Sequence, residues 1–583
     1  MRYLYLTILY LLLNSSVYTQ NKYRTNGNTS FSKVSNWQTS IANSWINAVK
    51  IPDYTNDSII ISMGDTVFID SEITIDQTQV DSGAVLINTY SKSQGIGNSF
   101  TLNDGKGYDL IIKNGGKYIH DMKQFSALPG GNGSILVEGT IEIKNDVDGG
   151  CADYYANDAD LNFSNRIVWN TNAIFCWNTS GIFSTANKIY FPNVNKNTVP
   201  IIHYKGSAIL LGAKTQTIIN GILEIGIGKI MNWQYSGNKT IRNGIRNFGT
   251  LNQRENCGAI ILSGSNVEIL SKGEIFLNNN SGLILGSQEI HDSILLRSDL
   301  KTTSGTVTIA PHTTIINNLF SFIHSGDFKT KEDVYFNLIH ENGIDAVIKA
   351  SGDISFSNSN HFRFVGSGNQ FCGTIFPDTV SSLEINNMNM VSFAKCLVVL
   401  DSIKLYSGIA NIGSDTLIIN NNDTNALITK ENSFIIGTLK RKTKPQGNYL
   451  FPIGNLTHKH FASVNLVNSL GLSELTVSYN PELDNLNRIP NLPIQDGLFE
   501  SFTNCGYWTI KPNTDYNNAL YSIQLSTSEI FTESFTGDIQ EYGIIKRMSN
   551  QHLWGDCSQG INKKTTISNS LLVVCNDSPV WLF

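Results

Sequence analysis

Charged side chains are scarce in this chain of 583 residues. Asp, Glu, Lys and Arg together make up only 15% of it, well below the roughly 25% usual for soluble proteins. The net charge is −6 and no long run of Lys or Arg occurs, so no basic surface that attracts nucleic acid is predicted. The polar surface must instead consist of Asn, Ser, Thr and Gly, which suits stacked turns and an extracellular protein.

Short motifs of known catalytic sites are also missing. The sequence has no Gly-x-Ser-x-Gly elbow, P-loop, His-Glu-x-x-His segment or dinucleotide fingerprint,. Its eight cysteines are dispersed without a Cys-x-x-Cys pair, so a zinc site is not predicted. In an exported protein, disulfides would form most naturally among Cys505, Cys557 and Cys575, unless several cysteines are buried apolar residues. The sequence leaves the pairing open.

Long apolar runs are absent except at the N-terminus. Arg2, the apolar stretch 4–13 and the polar segment that follows it predict a secretory signal peptide over residues 1–19,. About ten apolar residues are too few to span a bilayer. We therefore expect a secreted or outer-surface protein with no transmembrane segment after cleavage. The polar residues 20–36 are predicted to be a disordered leader.

What the chain has in abundance is a short strand phrase bounded by Gly or Asn. Examples are Gly139-Thr-Ile-Glu-Ile143, Gly221-Ile-Leu-Glu-Ile225 and Gly305-Thr-Val-Thr-Ile309. Apolar and polar residues alternate in these phrases, and each phrase ends before a helix could form. They recur irregularly between residues 57 and 310, about every twenty to thirty residues, as stacked supersecondary units do. The sequence therefore predicts an all-β protein with a right-handed parallel β-helix, or β-solenoid.

The rhythm of these phrases divides the chain. We predict the solenoid over residues 37–455, with Trp37 and Trp45 covering its open end. Insertions are expected near 146–190 and 329–344, where the rhythm loosens. From residue 456 to 583 the strands are longer and more widely spaced, which favours an antiparallel β-sandwich.

Two blocks of sequence resemble exported cell-surface proteins of the Bacteroidetes. The first, from Trp45 to Val67, is similar to the opening of their parallel β-helix and to a glycine-rich G8-type domain. The second contains Gly437-Thr-Leu-Lys-Arg441 and the motif Phe451-Pro-Ile-Gly454, which those proteins carry at a C-terminal sandwich. The resemblance implies a secreted or surface protein of adhesive or unknown role. Members often end in a sorting domain, whereas this sequence stops at Phe583 without one.

Two groups of residues in the first insertion are candidate sites. Aromatic side chains could stack on sugar rings or could pack over the solenoid as its cover, and we favour packing. The aromatic candidates are Tyr154, Tyr155, Trp169 and Trp177. Three acidic residues form an oxygen-rich turn that could hold Ca²⁺ or could be a solvated loop, the latter being favoured. These are Asp146, Asp148 and Asp153.

Two functions remain in competition on this sequence. The favoured hypothesis is a non-catalytic exported protein with a role in adhesion or in the cell envelope, whose partners are glycans or other cell-surface components. The alternative is a carbohydrate-active lyase or hydrolase, or a carbohydrate-binding protein, on the same β-helix. Acidic and basic side chains grouped on one solenoid face beside a groove would favour the alternative. A flat face of Thr, Asn and Ser would favour the first hypothesis.

Overall fold

The structure, a computed structural model, describes most of the chain after the N-terminal segment. The described residues are 21–55, 58–89, 100–121, 130–144, 167–178, 181–184, 201–205, 209–212, 217–219, 221–234, 236–278, 281–288, 291–317, 319–430, 432–481, 492–494, 497–499, 506–513, 520–527, 545–546, 555–556, 563–567 and 570–577. The protein is nearly all β and contains a parallel β-solenoid of about 13 turns. The prediction of an all-β solenoid is therefore confirmed.

The chain divides into two compact units. Unit 1 comprises Met1–Ser263, Val267–Leu283 and Thr303–Gly305, and unit 2 comprises Gly264–Asn266, Ile284–Thr302 and Thr306–Phe583. The strands as far as residue 285 are β1 Lys22–Thr25, β2 Thr29–Ser30, β3 Trp37–Ile41, β4 Ser44–Asn47, β5 Ser58–Ile61, β6 Thr66–Ile69, β7 Ile73–Ile75, β8 Thr78–Val80, β9 Val85–Asn88, β10 Phe100–Leu102, β11 Leu110–Ile112, β12 Lys117–His120, β13 Gly130–Gly131, β14 Ile135–Val137, β15 Thr140–Ile143, β16 Ile167–Trp169, β17 Ile174–Trp177, β18 Gly181–Ser184, β19 Ile201–Tyr204, β20 Ile209–Gly212, β21 Thr217–Ile219, β22 Ile222–Ile225, β23 Ile230–Gln234, β24 Lys239–Ile241, β25 Gly244–Asn247, β26 Thr250–Gln253, β27 Ile260–Leu262, β28 Val267–Ser271, β29 Glu274–Phe276 and β30 Leu283–Leu285.

The remaining strands belong to unit 2, apart from Thr303 at the end of β32. They are β31 Asp292–Leu296, β32 Leu300–Thr303, β33 Thr306–Ile309, β34 Thr313–Asn317, β35 Phe322–His324, β36 Asp327–Thr330, β37 Tyr335–Leu338, β38 Ile348–Ala350, β39 Ile354–Ser355, β40 His361–Phe364, β41 Gln370–Phe371, β42 Thr379–Ser392, β43 Leu397–Ile419, β44 Leu427–Thr429, β45 Phe434–Lys442, β46 Gly447–Phe451, β47 Phe461–Asn468, β48 Glu474–Asn480, β49 Leu492–Ile494, β50 Gly497–Phe499, β51 Tyr507–Pro512, β52 Leu520–Thr527, β53 Ile545–Lys546, β54 Gly555–Asp556, β55 Lys563–Ile567 and β56 Ser570–Asp577. Among the described residues, one short helix, α1, spans Gly343–Val347, and 3-10 turns span Val34–Asn36 and Thr424–Ala426.

Parallel pairing in register stacks equivalent positions of successive rungs. In unit 1, Ile141 of β15 lies beside Phe175 of β17, and Leu223 of β22 lies beside Ile245 of β25. All four side chains are fully buried. Because side chains alternate along a strand, their neighbours in sequence form matching rows on the outward face. The repeat thus fixes an apolar core and, at the same time, ladders of outward side chains.

The start of unit 1 corrects the prediction of a disordered leader over residues 20–36. Strand β1 pairs in parallel with β5 and antiparallel with β3. Phe31 is fully buried, and the Trp37 indole, also fully buried, donates a hydrogen bond to its carbonyl over 3.0 Å. The two rings lie 5.1 Å apart. This aromatic pair orders the segment, and the β3–β4 hairpin covers the edge of β1,.

The insertion predicted near 329–344 is also corrected. Strands β36 and β37 take regular places in the parallel sheets of unit 2. Phe328, Val334 and Phe336 are buried in the core, while the charged residues between them occupy outward or turn positions. The polar turns obscured the strand pattern of a regular rung in the sequence. The helix α1 is the one addition to that rung. Of the insertion predicted near 146–190, residues 146–166, 179–180 and 185–190 lie outside the described part, and β16, β17 and β18 are ordinary parallel rungs.

Parallel stacking ends in unit 2 at β45. This strand pairs in parallel with β43 on one side and antiparallel with β48 on the other. Strand β46 already pairs antiparallel with β47, so the change of architecture precedes the predicted boundary at residue 455. The five-stranded sheet β46-β47-β52-β56-β55 is wholly antiparallel. The antiparallel β48 covers the last solenoid edge, which would otherwise expose unpaired backbone groups.

Candidate functional site

Most residues singled out in the sequence lie outside the described residues. These are Tyr154, Tyr155, Asp146, Asp148 and Asp153. Trp169 ends strand β16, is only 3% exposed and meets the Phe175 ring edge-on at 6.2 Å between centroids. Trp177 is the last residue of β17. Trp169 is thus part of the core, in agreement with the packing alternative, and offers no face to a sugar.

A polar pocket of about 390 Å³ opens in unit 2. Its lining residues come from the start of β43 and the three residues that follow that strand, from the end of β45 and the residue after it, and from the residue that precedes β48. They are Leu400, Asn420, Asn421, Asn422, Lys442, Thr443 and Ser473. Three carboxamides, two hydroxyls and one ammonium group therefore surround a single apolar side chain. Such a lining can exchange hydrogen bonds with a polyhydroxylated ligand and contact its C–H groups.

The buried Arg441 holds the pocket's asparagine loop in place. Its Nη2 donates to the carbonyls of Asp423 and Thr424 over 3.2 and 3.0 Å, and its Nη1 donates to that of Leu450 over 3.0 Å. Its guanidinium carbon lies 5.2 Å from the Tyr449 ring centroid. Burial lowers the pKa of Arg441 to about 10, which leaves it charged at neutral pH. One cation thus donates to three carbonyls, of which that of Asp423 also accepts from the backbone N–H of Ala426,.

Tyr449 supports the same loop from the next strand. Its hydroxyl donates to the carbonyl of Asn422 over 3.0 Å and accepts from the backbone N–H of Lys444 over 2.7 Å. Within the loop, the Asn421 side chain accepts from the backbone N–H of Asp423 over 2.9 Å. The pocket wall is therefore fixed before any ligand arrives, which lowers the entropic cost of binding.

The motif Phe451-Pro-Ile-Gly454 anchors this region through its backbone. The N–H of Ile435 donates to the Pro452 carbonyl, and the N–H of Gly454 donates to the Ile435 carbonyl. Any Cβ on Gly454 would lie within 2.8 Å of the Phe434 ring. Only glycine allows this close approach, so the motif joins the end of the solenoid to the antiparallel sheet.

Two lysines of β45 place positive charge at or beside the pocket. Lys440 and Lys442 contact the Glu474 carboxylate at 2.7 and 2.9 Å. Hydrogen bonding to Lys440, together with the smaller contribution of Lys442, holds the pKa of Glu474 below its usual value, although burial acts in the opposite direction. Lys444 lies 3.4 Å from Asp423. With two lysines sharing one carboxylate, this side of the pocket is favourable for an anionic group of a ligand.

A β-bulge connects the pocket with a second polar feature of unit 2. Val380 pairs with Val399 and Ser382 with Ser402, so two residues, Leu400 and Asp401, oppose one. Leu400 lines the pocket, and Asp401 Oδ1 lies 3.5 Å from the Asn421 amide. Bulges often re-aim side chains beside functional sites. Here the bulge places the pocket one residue from an outward row of hydroxyl and imidazole groups.

We name this outward ladder the His361 row, comprising Tyr335, His361, Ser382 and Ser402. Its members are register partners on four successive parallel strands. His361 Nδ1 lies 2.7 Å from Ser382 Oγ, and His361 Nε2 lies 3.6 Å from Oδ1 of Asp333. The His361 imidazole therefore lies between the hydroxyl of Ser382 and the carboxylate of Asp333.

The imidazole of His361 is held rigidly and is largely desolvated. Its ring stacks on Tyr335 at 4.1 Å with 6° between the planes, and its side chain is 16% exposed. Burial lowers the pKa of His361, although Asp333 acts in the opposite direction. The ring is consequently neutral at pH 7 and can accept a proton. Asp333 adopts a left-handed backbone conformation, with φ of 53°, as it turns into β37.

Unit 1 has an outward ladder of its own, the Cys176 row. Its members are register partners on β15, β17, β19, β22 and β25: Glu142, Cys176, His203, Glu224 and Arg246. Glu142 and Glu224 are three rungs apart, about 14 Å along the backbone stack. Paired carboxylates for glycoside hydrolysis are separated by roughly 5–9.5 Å. The two glutamates are therefore too far apart for that reaction.

The Cys176 row is also closed to solvent where its chemistry would lie. Cys176 is 1% exposed, and burial raises the pKa of its thiol to about 12. Glu142 is engaged by Lys117 at 3.2 Å and by the Asn178 amide at 2.7 Å. A protonated, buried thiol is a poor nucleophile. The ladder is an ion-paired surface rather than a reactive site.

Neither the pocket nor the His361 row was identified in the sequence. The strands that carry them were recognised by their apolar residues, as in Asp415-Thr-Leu-Ile-Ile419, but the outward polar residues look like ordinary strand surface. One signal was available, the three consecutive asparagines 420–422 directly after that strand. Clusters of Asn form side-chain–backbone turns that can shape a loop.

Four cysteines in the described residues are free thiols: Cys176, Cys257, Cys372 and Cys396. The side chains of Cys505, Cys557 and Cys575, where disulfides were expected, lie outside the described part. Among the residues the structure describes, no group of three or more His, Cys, Asp or Glu side chains is placed to hold a metal ion. No helix in that part of the chain is long and apolar enough to cross a membrane.

Comparisons with protein-family models, with curated proteins and with solved structures gave no match to this chain.

Proposed function

We propose that this chain is an exported surface protein that binds glycans in the pocket formed by Asn420, Asn421 and Asn422. The observation that carries the proposal is the pocket itself, whose carboxamides and Lys442 surround one apolar side chain. Sugars present hydroxyl groups together with small apolar faces, so a mixed lining of this kind suits them. The role is adhesion to glycans or other cell-surface components, as the sequence suggested.

The support of the pocket favours recognition over a purely structural role. The side chains of Arg441 and Tyr449 donate hydrogen bonds to the carbonyls of Asn422, Asp423 and Thr424. A loop held in one conformation in this way needs little further ordering when a ligand binds. The nearby Lys440 and Lys442 favour acidic sugars, whose carboxylates they would attract.

The proposal also includes the handedness of the solenoid and the arrangement of the antiparallel sheets. We take the parallel solenoid to be right-handed, as parallel crossovers almost always are. We take the antiparallel sheets β45-β48-β51 and β46-β47-β52-β56-β55 of unit 2 to be the two layers of a C-terminal sandwich,.

A glycan array with the predicted mature chain, from Gln20 onward, tests glycan binding. We expect binding to one class of acidic or neutral glycan, with at least a tenfold loss of affinity in Asn421→Ala and Lys442→Ala because each removes a direct contact, worth about 1.4 kcal/mol or more. Lys349→Ala is the matched control, since Lys349 is exposed on β38 and away from the pocket lining. Absence of binding on the array, or equal binding by all variants, would contradict the proposal.

Export is tested separately in cells that produce the protein. We expect the mature N-terminus at Gln20 and the protein outside the cytoplasm, measured by N-terminal mass spectrometry after fractionation. Recovery of an unprocessed N-terminus in the cytoplasm would contradict export and leave the glycan-binding result unaffected.

A further inference from the structure

The His361 row carries chemistry that binding does not require. A hydroxyl and an imidazole 2.7 Å apart, with a carboxylate on the other side of the ring, have the arrangement of a nucleophile, a base and an orienting group,. The sequence around Ser382 has none of the known nucleophile motifs, so the arrangement arises from rung stacking alone.

We propose that Ser382, His361 and Asp333 hydrolyse ester groups, with acyl substituents of a glycan held in the neighbouring pocket as the substrate. The choice of a glycan ester rests on the proposed function. The ester-cleaving group itself stands on the geometry of the row. Ser382 is the nucleophile, His361 is the general base, and Asp333 is the positioning residue that orients the ring.

The reaction consumes only the ester and one water molecule. Ser382 Oγ attacks the acyl carbon while its proton passes to Nδ1 of His361, and the ester C–O bond breaks as that proton is returned to the leaving alkoxide. The acyl-serine is then attacked by water, whose proton is taken by Nδ1. Ser382 recovers a proton from the imidazole, and a carboxylic acid is released.

The position of the imidazole suits these steps in one of its two neutral tautomers. For Nδ1 to accept from Ser382, the ring proton must lie on Nε2, which faces Asp333 Oδ1 at 3.6 Å. Stacking on Tyr335 prevents the ring from rotating away from this orientation. The other charged groups that act on the ring are Asp401, which raises the pKa of His361, and Lys404, which lowers it.

The place of the row next to the pocket identifies the substrate class. Ser402, the register partner of Ser382, directly follows the bulge residue Asp401, which contacts Asn421 of the pocket wall. A glycan seated against Asn421 would carry its substituents towards this row. Esters on sugar hydroxyls, such as acetyl groups, therefore fit the site better than glycosidic bonds, for which the row has no pair of carboxylates.

Labelling with a fluorophosphonate, which reacts with activated serines, tests the row without knowledge of the glycan. We expect the full chain to form an adduct at Ser382, detected by peptide mass spectrometry, and at least a 100-fold slower reaction in His361→Phe. Phenylalanine keeps the stack on Tyr335, so this variant is expected to fold, which a thermal melt would check. Ser402→Ala is the matched control, because the Ser402 hydroxyl donates to Asp401 and not to an imidazole.

The pH profile of labelling separates positioning by Asp333 from a structural role. The rate should rise as His361 loses its proton, with a midpoint below the ordinary value of about 6.5 for histidine. Asp333→Asn removes a group that raises the pKa of His361, so the midpoint should move to lower pH and the maximal rate should fall. No adduct at Ser382, equal labelling of His361→Phe, or an unmoved profile in Asp333→Asn would overturn the proposal.

Acetate release from an acetylated polysaccharide distinguishes failure of this proposal from failure of glycan binding. Ser382→Ala should bind the polysaccharide as the original chain does but release no acetate. Lys442→Ala should lose binding and keep labelling of Ser382. Labelling of Ser382 without any glycan binding would reject the pocket and retain the ester-cleaving site. Glycan binding without labelling of Ser382 or release of acetate would reject the ester-cleaving site and retain the pocket.

Discussion

The two units stack the same kind of parallel rung but treat their polar side chains differently. In unit 1, polar groups are sealed: Cys176 is buried as a protonated thiol, and His120, 1% exposed, has no hydrogen-bond partner at either ring nitrogen among the described residues. In unit 2, Arg441 is equally buried but donates to three carbonyls, and His361 lies beside a hydroxyl.

This difference teaches that register alone does not make a site. Both units bring unlike polar residues to about 4.8 Å from one another on successive rungs. What differs between the two buried groups is their partners: His120 has none at either ring nitrogen among the described residues, whereas Nη1 and Nη2 of Arg441 donate to three carbonyls. Hydrogen-bonded burial of Arg441 fixes the pocket loop of unit 2, whereas burial of Cys176 in unit 1 keeps its thiol protonated and unreactive,.

The largest effect is expected from loss of the matched cation. Arg441→Met should destabilise unit 2 by about 3–5 kcal/mol, because three carbonyls lose their donor in a buried site. Urea unfolding, with hydrogen exchange to locate the change, measures it. Arg246→Met in unit 1 is the control, since that half-buried side chain approaches Glu224 only at 3.8 Å and should contribute less than about 1 kcal/mol,. Equal losses in the two variants would break the comparison.

The unmatched histidine should make unit 1 sensitive to acid. Burial lowers the pKa of His120 to about 4, against 6.5 for an ordinary histidine. The unfolded chain therefore takes up a proton first as the pH falls, and stability present above pH 6.5 is lost towards pH 4, by up to about 3 kcal/mol. His120→Leu should remove this loss, as measured by unfolding at pH 7 and pH 4.5. An unchanged acid sensitivity would show that His120 is not its source.

A pair of carboxyl groups in unit 1 should act in the opposite direction. Burial, together with the adjacent Asp109, raises the pKa of Asp76 to about 6. The protonated form is stabilised by folding, so stability is lost as the pH rises through 6. Asp76→Asn should raise Tm at pH 8 and leave it unchanged at pH 4. Asp104→Asn, at an exposed position nearby, should change Tm at neither pH. A lower Tm for Asp76→Asn at pH 8 would contradict repulsion between the carboxyls.

The smallest effect concerns reactivity rather than stability. Because its pKa is raised to about 12, Cys176 should resist iodoacetamide in the folded protein, whereas the exposed Cys396 should be alkylated readily,. Peptide mass spectrometry after native and urea-treated labelling compares the two. Rapid native alkylation of Cys176 would show that the unit 1 ladder is open after all.

Sequence patterns were sufficient to predict the strands where the two-residue alternation of apolar and polar side chains is clear. Alternation in phrases such as Gly221-Ile-Leu-Glu-Ile225 predicted parallel strands because burial of every second residue is set locally. The same reasoning failed for residues 20–36 and 329–344, where Phe31 and Phe328 are buried although polar neighbours surround them. A single buried aromatic side chain carries little periodic signal, yet it is enough to order a rung.

The amino-acid sequence by itself determined the all-β solenoid and its low-charge surface, since strand alternation and turn residues act over a few positions. Only the tertiary structure decided that Ser382, His361 and Asp333 lie together, and that Arg441 fixes the loop 420–424. These contacts join residues 9 to 28 positions apart, and their register depends on the length of every intervening turn. No local pattern in the sequence encodes that register, because it is set by the packing of whole rungs.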